Sequence, residues 1–288
     1  MLARLAARAR FDSTVAANAT AGVALPDVAR AVEVMRTTSP RSYRDGSEGE
    51  FAGYRDALDH VVREAPGPLD VPLLAQLHRM LLRHTGDSGA GVPAGAEKQR
   101  RLAGLLGDYE EVIAEGRHPP LLPICALAHE LVSMRPFERG SGRIARLLTT
   151  RELLRHGYRV AKYVSLEQRI FETLGSYEAV LAEDGEAPRE DPHDLTPWAR
   201  YLLGIVDGAC DNLEHTIATG AQLAGATKRA QARDYILTQA PARFPLGQID
   251  EALPDISKAT IRDALEQLCA EGRVAVDRGP GAMWRLIA

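Results

Sequence analysis

Aromatic residues are scarce in this chain of 288 residues, at 5% of the total. Long alternations of β-branched residues are equally rare before residue 270. The three cysteines, Cys125, Cys210 and Cys269, are scattered. They have no paired spacing of the kind a zinc site or redox dithiol needs, so they read as small buried hydrophobes. No apolar run approaches the roughly 18 residues that span a bilayer. The opening Met1-Leu2-Ala3-Arg4-Leu5 is broken by Arg4, Arg8 and Arg10 and lacks the apolar core of a secretory leader. A net charge of -4 supplies no overall pull toward nucleic acid or an anionic membrane. The expectation is a soluble, cytoplasmic protein without a membrane partner.

Present instead are aliphatic residues and alanines at helical spacing. The pattern predicts helices near 27–36, 48–64, 70–84, 96–115, 120–134, 141–156, 166–182 and 194–218. Pro72 falls in the first turn of one, after the Ala65-Pro66-Gly67-Pro68 break, and Gly157 follows another as a C-terminal stop. The loop holding Gly86, Gly89, Gly91 and Gly95 is flexible by composition. Beyond Lys228 the pattern changes to three short helices, near 228–238, 246–253 and 257–271, with Ser257 capping the third. Two apolar strands around a Gly279-Pro280-Gly281 turn follow. That is the order of a winged helix-turn-helix. A boundary is expected near 220, where Thr219-Gly220-Ala221 interrupts a helical pattern. The expected divisions are an N-terminal helical segment over 1–65, a core over 66–219 and a winged helix domain over 220–288.

One segment carries most of the chemistry: Met134-Arg135-Pro136-Phe137-Glu138-Arg139-Gly140-Ser141-Gly142-Arg143-Ile144-Ala145-Arg146. It lies between the apolar patterns 121–132 and 144–154. Gly140-Ser141-Gly142 lets backbone N–H groups approach an anion and opens a helix whose positive end favours one. Arg143 and Arg146 share a face of that helix, and their forks suit phosphate oxygens. With Arg135 and Arg139 they make a four-arginine cluster around a glycine turn, and an anion cradle is the preferred reading. The alternative is a solvated loop in which Arg135 and Arg139 pair with Glu130, Glu138 or Glu152.

This segment resembles the signature of the Fic (Fido) family, His-Pro-Phe-x-(Asp/Glu)-Gly-Asn-Gly-Arg-x-x-Arg. Pro136, Phe137, Gly140, Gly142, Arg143 and Arg146 match without a gap. Ala126-Leu127-Ala128-His129, Glu50-x-x-x-Tyr54-x-x-Ala57-Leu58 and Leu77-His78-x-x-Leu81-Leu82 are similar to the family's flanking helices. The resemblance spans about residues 11–205. It implies a mostly α fold: a Fic-type helical core followed by a C-terminal winged helix. In the family the motif histidine is the general base that deprotonates a target hydroxyl before it attacks the α-phosphate of ATP. The acidic residue holds Mg²⁺, the Gly-Asn-Gly turn binds phosphate, and the arginines bind the remaining phosphates.

By that correspondence the base position is Arg135, the metal position Arg139 and the asparagine Ser141. A guanidinium cannot take a proton as histidine does, and a cation repels Mg²⁺. The phosphate-binding set Gly140, Ser141, Gly142, Arg143 and Arg146 remains. The resemblance extends to the family's inhibitory helix, (Ser/Thr)-x-x-x-Glu-(Gly/Asn). Its remnant keeps Ser13, Thr14 and Asn18 but has Ala16 in place of the glutamate that pairs with the second motif arginine, which would leave Arg146 free for an anion. The flap expected between about Thr85 and Arg101 is short and glycine-rich.

These departures point to a degenerate member that binds a nucleotide, ATP included, or another phosphorylated ligand. Mg²⁺ and other metals are not expected. Standard AMP transfer is lost or replaced, and a protein target and a homodimer stay open. His78 and His129 read as packing residues, and the remaining histidines lack metal-ligand spacing. The alternative is a ligand-responsive, DNA-binding regulator. Its reading helix would offer Lys258, Thr260 and Arg262 against Asp263, Glu266 and Glu271, with Arg278 and Arg285 beside the wing. From Lys228 onward 9 Lys/Arg face 8 Asp/Glu, far from a basic footprint.

Overall fold

The computed structural model describes residues 1–37, 39, 43–63, 67–182, 194–224, 228–277 and 283–287. The Gly279-Pro280-Gly281 turn, Arg278, His193 and the Ala65-Pro66 pair lie outside the described residues. The chain is mostly helical and divides into two compact units, 1–213 and 214–288. Among the described residues no helix is long and apolar enough to cross a membrane.

The first unit is built from α1 (Leu2–Thr20), α2 (Val28–Arg36), α3 (Gly46–Arg63), α4 (Val71–Leu82), α5 (Ala96–Glu115), α6 (Leu121–Met134) and α7 (Ser141–Arg155). They are followed by α8 (Val160–Tyr163), α9 (Leu166–Glu172), α10 (Leu174–Ala182) and the larger part of α11 (Thr196–Ala224). Local signals start several of them. Asp27, Asp70 and Ser165 each accept a hydrogen bond from the backbone N–H three residues on, at 2.7, 2.8 and 2.9 Å. Pro72 sits in the first turn of α4, and Gly157 follows α7 with φ 88°.

Leucines and isoleucines of α4, α6 and α7 form one core with Tyr54, Leu102, Leu106, Trp198 and Leu202. Trp198 Nε1 donates to the Cys125 carbonyl at 2.8 Å, so its one polar atom is satisfied inside. α3 and α4 cross closely. A Cβ on Gly53 would lie 2.0 Å from the Leu81 carbonyl oxygen, so only glycine permits the approach.

The second unit begins within α11 and contains α12 (Lys228–Thr238), β1 (Arg243–Pro245), α13 (Leu246–Ala252), α14 (Lys258–Ala270), β2 (Val274–Asp277) and β3 (Met283–Leu286). The strands form an antiparallel sheet in the order β1-β3-β2, with Phe244 opposite Trp284 and Val276 opposite Trp284 on the other side. Ile236, Phe244, Ile249, Ile261, Leu265 and Leu268 make its separate core. Ser257 caps α14 through a bond from the Thr260 N–H at 3.2 Å.

Several expectations need correction. Helix α1 is absent from the periodicity reading because its buried face is small or polar: Ala9, Ser13, Thr14, Ala16, Ala17 and Asn18. The segment 166–182 is two helices, parted at Thr173, whose hydroxyl donates to the Arg169 carbonyl. Gly220 does not end its helix. α11 runs on to Ala224, the cost of one glycine being only about 1 kcal/mol. Strand β1 and the single turn α8 were too short to read. Cys125 is buried, and burial pushes its thiol up to about 11, but Cys210 and Cys269 are only partly buried.

Candidate functional site

Helix α6 ends at Arg135, which takes the left-handed conformation with φ 47°. It is the one described residue other than glycine with positive φ. The loop then turns back through Pro136–Arg139, and Gly140, at φ 73°, precedes α7. A Cβ on Gly140 would also meet Leu81 Cδ2 at 2.7 Å. Ser141 closes the turn: its hydroxyl donates to the Phe137 carbonyl at 2.8 Å and accepts from the Phe137 N–H at 2.9 Å. The first intrahelical bond of α7 runs from Ile144 N–H to the Gly140 carbonyl at 3.0 Å. The N–H groups of Ser141, Gly142 and Arg143 therefore have no intrahelical acceptor.

The connection between α4 and α5 clasps the loop. The Ala94 N–H donates to the Pro136 carbonyl at 2.8 Å, and Lys98 Nζ donates to the Arg135 carbonyl at 2.8 Å. His78 stacks on Phe137 with ring centroids 3.9 Å apart. Its Nδ1 accepts from the Gly91 N–H at 2.7 Å, so Nε2 carries the proton and donates to the Arg139 carbonyl at 2.9 Å. Burial holds this imidazole below its ordinary pKa, which suits the neutral form that both bonds require. The glycine-rich stretch expected to be flexible is thus tied to the motif loop.

The four arginines have different environments. Arg135 is exposed. Arg139 Nη2 donates to Glu50 Oε1 at 2.5 Å, and its Nη1 lies 3.5 Å from Asp87. Arg143 is buried; Nη2 pairs with Glu50 Oε2, Nη1 donates to Asn18 Oδ1 at 2.8 Å, and Nε has no acceptor. Arg146 is buried as well, and its Nε donates to Glu167 Oε2 at 2.6 Å. The Tyr54 hydroxyl donates to the other oxygen of Glu167 at 2.9 Å. Burial opposes the charge of Arg146, but the carboxylate of Glu167, helped by Tyr177, holds it above its ordinary range. Burial and the same carboxylate push Tyr54 well up.

The expectation that Ala16 leaves Arg146 unpaired therefore fails. Counted from Ser13 to Asn18 the glutamate position is Ala17, next to Ala16; both alanines are buried, and α9 supplies the carboxylate that α1 lacks. The rest of the α1 remnant lies against the motif: Asn18 holds Arg143, the Ala17 carbonyl lies 3.4 Å from Arg146 Nη2, and Ser13 donates to Ser165 at 2.9 Å. The surface-loop alternative named other partners for Arg135 and Arg139. Glu152 is held by Arg151, Arg155 and Tyr109 at the far end of α7, and Glu130 lies beside His129. Glu50, 89 and 93 residues from Arg139 and Arg143, and Glu167, 21 residues from Arg146, are the carboxylate partners that the sequence reading did not place at the site.

Together these elements border an open cleft of about 660 Å³. One wall is the motif loop from Arg135 to Arg146; another comprises Val23, Val132, Leu174, Tyr177 and Leu181, with Glu50, Glu138 and Glu178 also lining it. This volume suits a small molecule. The position that holds Mg²⁺ in the resembling family does not fit a divalent cation here. It is filled by the guanidinium of Arg139, ion-paired to Glu50 and Asp87.

Residues 68–153 match the model of the Fic/DOC family. No curated protein matches the chain. Among solved structures it is similar to a Fic family protein from Desulfovibrio desulfuricans G20, with 20% identity and a TM-score of 0.60 over 99% of this chain and 88% of that one. A Fic domain containing signaling protein from Bacteroides thetaiotaomicron VPI-5482 is 20% identical, with a TM-score of 0.61 over 72% and 87% of the two chains. Fic-1 from C. elegans is 20% identical, with a TM-score of 0.60 over 75% and 64%.

Proposed function

Starting from a Fic/DOC family domain over residues 68–153, with the fold of Fic proteins, we propose that the cleft at the start of α7 binds a phosphorylated ligand. On this reading, standard AMP transfer from ATP to protein hydroxyls is lost or replaced by different chemistry. The observation that carries the reading is the state of two positions. Arg135 stands where the family has its general base, and Arg139, where the family has its metal ligand, is ion-paired to Glu50. A well-placed general base contributes about 10²–10⁴-fold to rate, and Arg135 cannot supply that. What remains is the machinery for holding an anion: three N–H groups without an intrahelical acceptor and the positive end of a 15-residue helix.

The test is transfer of label from ATP to the protein itself or to a hydroxyl-bearing target. None is expected from the wild type, and turnover near one per minute would overturn the reading. Activity should return only when Arg135→His and Arg139→Asp are combined, because both groups would act on one transition state.

A second reading is supported by the 214–288 unit. The succession α12, β1, α13, α14, β2, β3 and the strand order β1-β3-β2 fit a winged helix, with α14 as the DNA-reading helix. The protein would then be a ligand-responsive regulator. Against it, the exposed residues of α14 include Asp263 and Glu266 beside Arg262, and Lys258 pairs with Asp250 at 3.2 Å. An electrophoretic shift with salt titration decides. Complexes that weaken steeply with salt favour the regulator, and no shift at low salt removes it.

A further inference from the structure

The charge balance of the cleft bears on which phosphorylated ligand it admits. Three of its four arginines already have carboxylate partners: Arg146 has Glu167, and Arg139 and Arg143 share Glu50. Two more carboxylates, Glu138 and Glu178, line the same space. The wall is therefore close to neutral, in place of the strongly positive surface that the arginines alone would make.

Nor is Arg146 readily released. Glu167 is 3% exposed and is held by the Tyr54 hydroxyl as well as by Arg146. A ligand that captured Arg146 would leave a buried carboxylate without its counter-ion, which is the costly outcome for a buried pair. What stays available is local: the N–H groups of Ser141, Gly142 and Arg143, with the exposed Arg135 at the edge of the cleft. Such a nest of N–H groups suits one phosphoryl group. Apart from Arg135, second and third phosphoryl groups would meet arginines already neutralised and carboxylates of their own sign.

We infer that Glu50 and Glu167 set the charge this cleft accepts, so that its ligand is a phosphate mono- or diester and polyphosphates are disfavoured. The inference rests on the reading of the cleft as a phosphate site and adds the ligand class to it. Titration calorimetry with inorganic phosphate, AMP, tripolyphosphate and ATP tests it on the full chain. The wild type should bind phosphate or AMP more tightly than tripolyphosphate or ATP. Glu167→Gln and Glu50→Gln, shown by circular dichroism to remain folded at the assay temperature, should each raise tripolyphosphate affinity by about tenfold to a hundredfold, the worth of one added charge-assisted bond.

A wild type that binds tripolyphosphate at least as tightly as phosphate overturns the inference and leaves the phosphate site standing. That arm does not depend on either variant folding. Selectivity that survives both substitutions overturns the assignment to Glu50 and Glu167. A wild type that binds nothing while the variants bind tripolyphosphate overturns the one-phosphoryl assignment. If no form binds any probe, the phosphate reading falls and the inference falls with it.

Discussion

Arg146 and Glu167 are a buried ion pair, and such a pair is most informative when one partner is removed. Glu167→Ala leaves a guanidinium in a site almost closed to water and strands the Tyr54 hydroxyl. The expected loss is about 3–5 kcal/mol in urea unfolding, far beyond the ~0–1 kcal/mol of an exposed pair such as Arg117 with Glu115. His78 yields a prediction with a sign. Its folded pKa lies below the ordinary imidazole value of about 6.5, so at mildly acidic pH the unfolded chain binds the extra proton. The stabilisation from neutral His78 is complete above that value and is lost as pH falls from about 6.5 toward the lower folded pKa. His156, also lowered by burial, contributes in the same direction. His78→Gln should flatten the fall in thermal midpoint between neutral and mildly acidic pH without abolishing it.

Elements place these residues, and two positions test how. Gly53 lets α3 and α4 approach until a Cβ would lie 2.0 Å from a carbonyl oxygen of the neighbouring backbone, which cannot swing aside as a side chain could. Gly53→Ala should cost about 1–3 kcal/mol or more in thermal or denaturant unfolding, because α3 carries Glu50 and Tyr54 into the core. Ser165 caps α9 and accepts from Ser13, joining the start of the helix that carries Glu167 to α1. Ser165→Ala should destabilise by ~0.5–2 kcal/mol, and a midpoint equal to the wild type would remove the cap from this account. The same elements show where periodicity is a sound guide. α6 and α7 announce themselves by leucines and isoleucines at helical spacing. α1 does not, because it packs with alanines and with Ser13, Thr14 and Asn18, whose polar atoms find partners inside the unit.

At the scale of the whole molecule, the second unit has a hydrophobic core separate from those of the first, which implies two separable stabilities. Leu265 is fully buried in the second, so Leu265→Ala should cost that unit about 2–5 kcal/mol. Calorimetric unfolding should show the loss, while titration with inorganic phosphate should be unchanged. A matching loss of phosphate binding would contradict the assignment of the site to the first unit.

The sequence by itself determined the helical character, most helix limits and the glycine turn at Gly140–Gly142. It also determined that a guanidinium stands at Arg135 and Arg139, because those are properties of residue type and local spacing. It could not say which carboxylates meet which arginines. An ion pair forms only where two groups come within about 4 Å, and Glu50 and Glu167 look like any other acidic residues until α3 and α9 are packed against α7. The tertiary structure alone decided that the arginine cluster is largely neutralised from within, since only packing brings those distant carboxylates to the guanidinium groups.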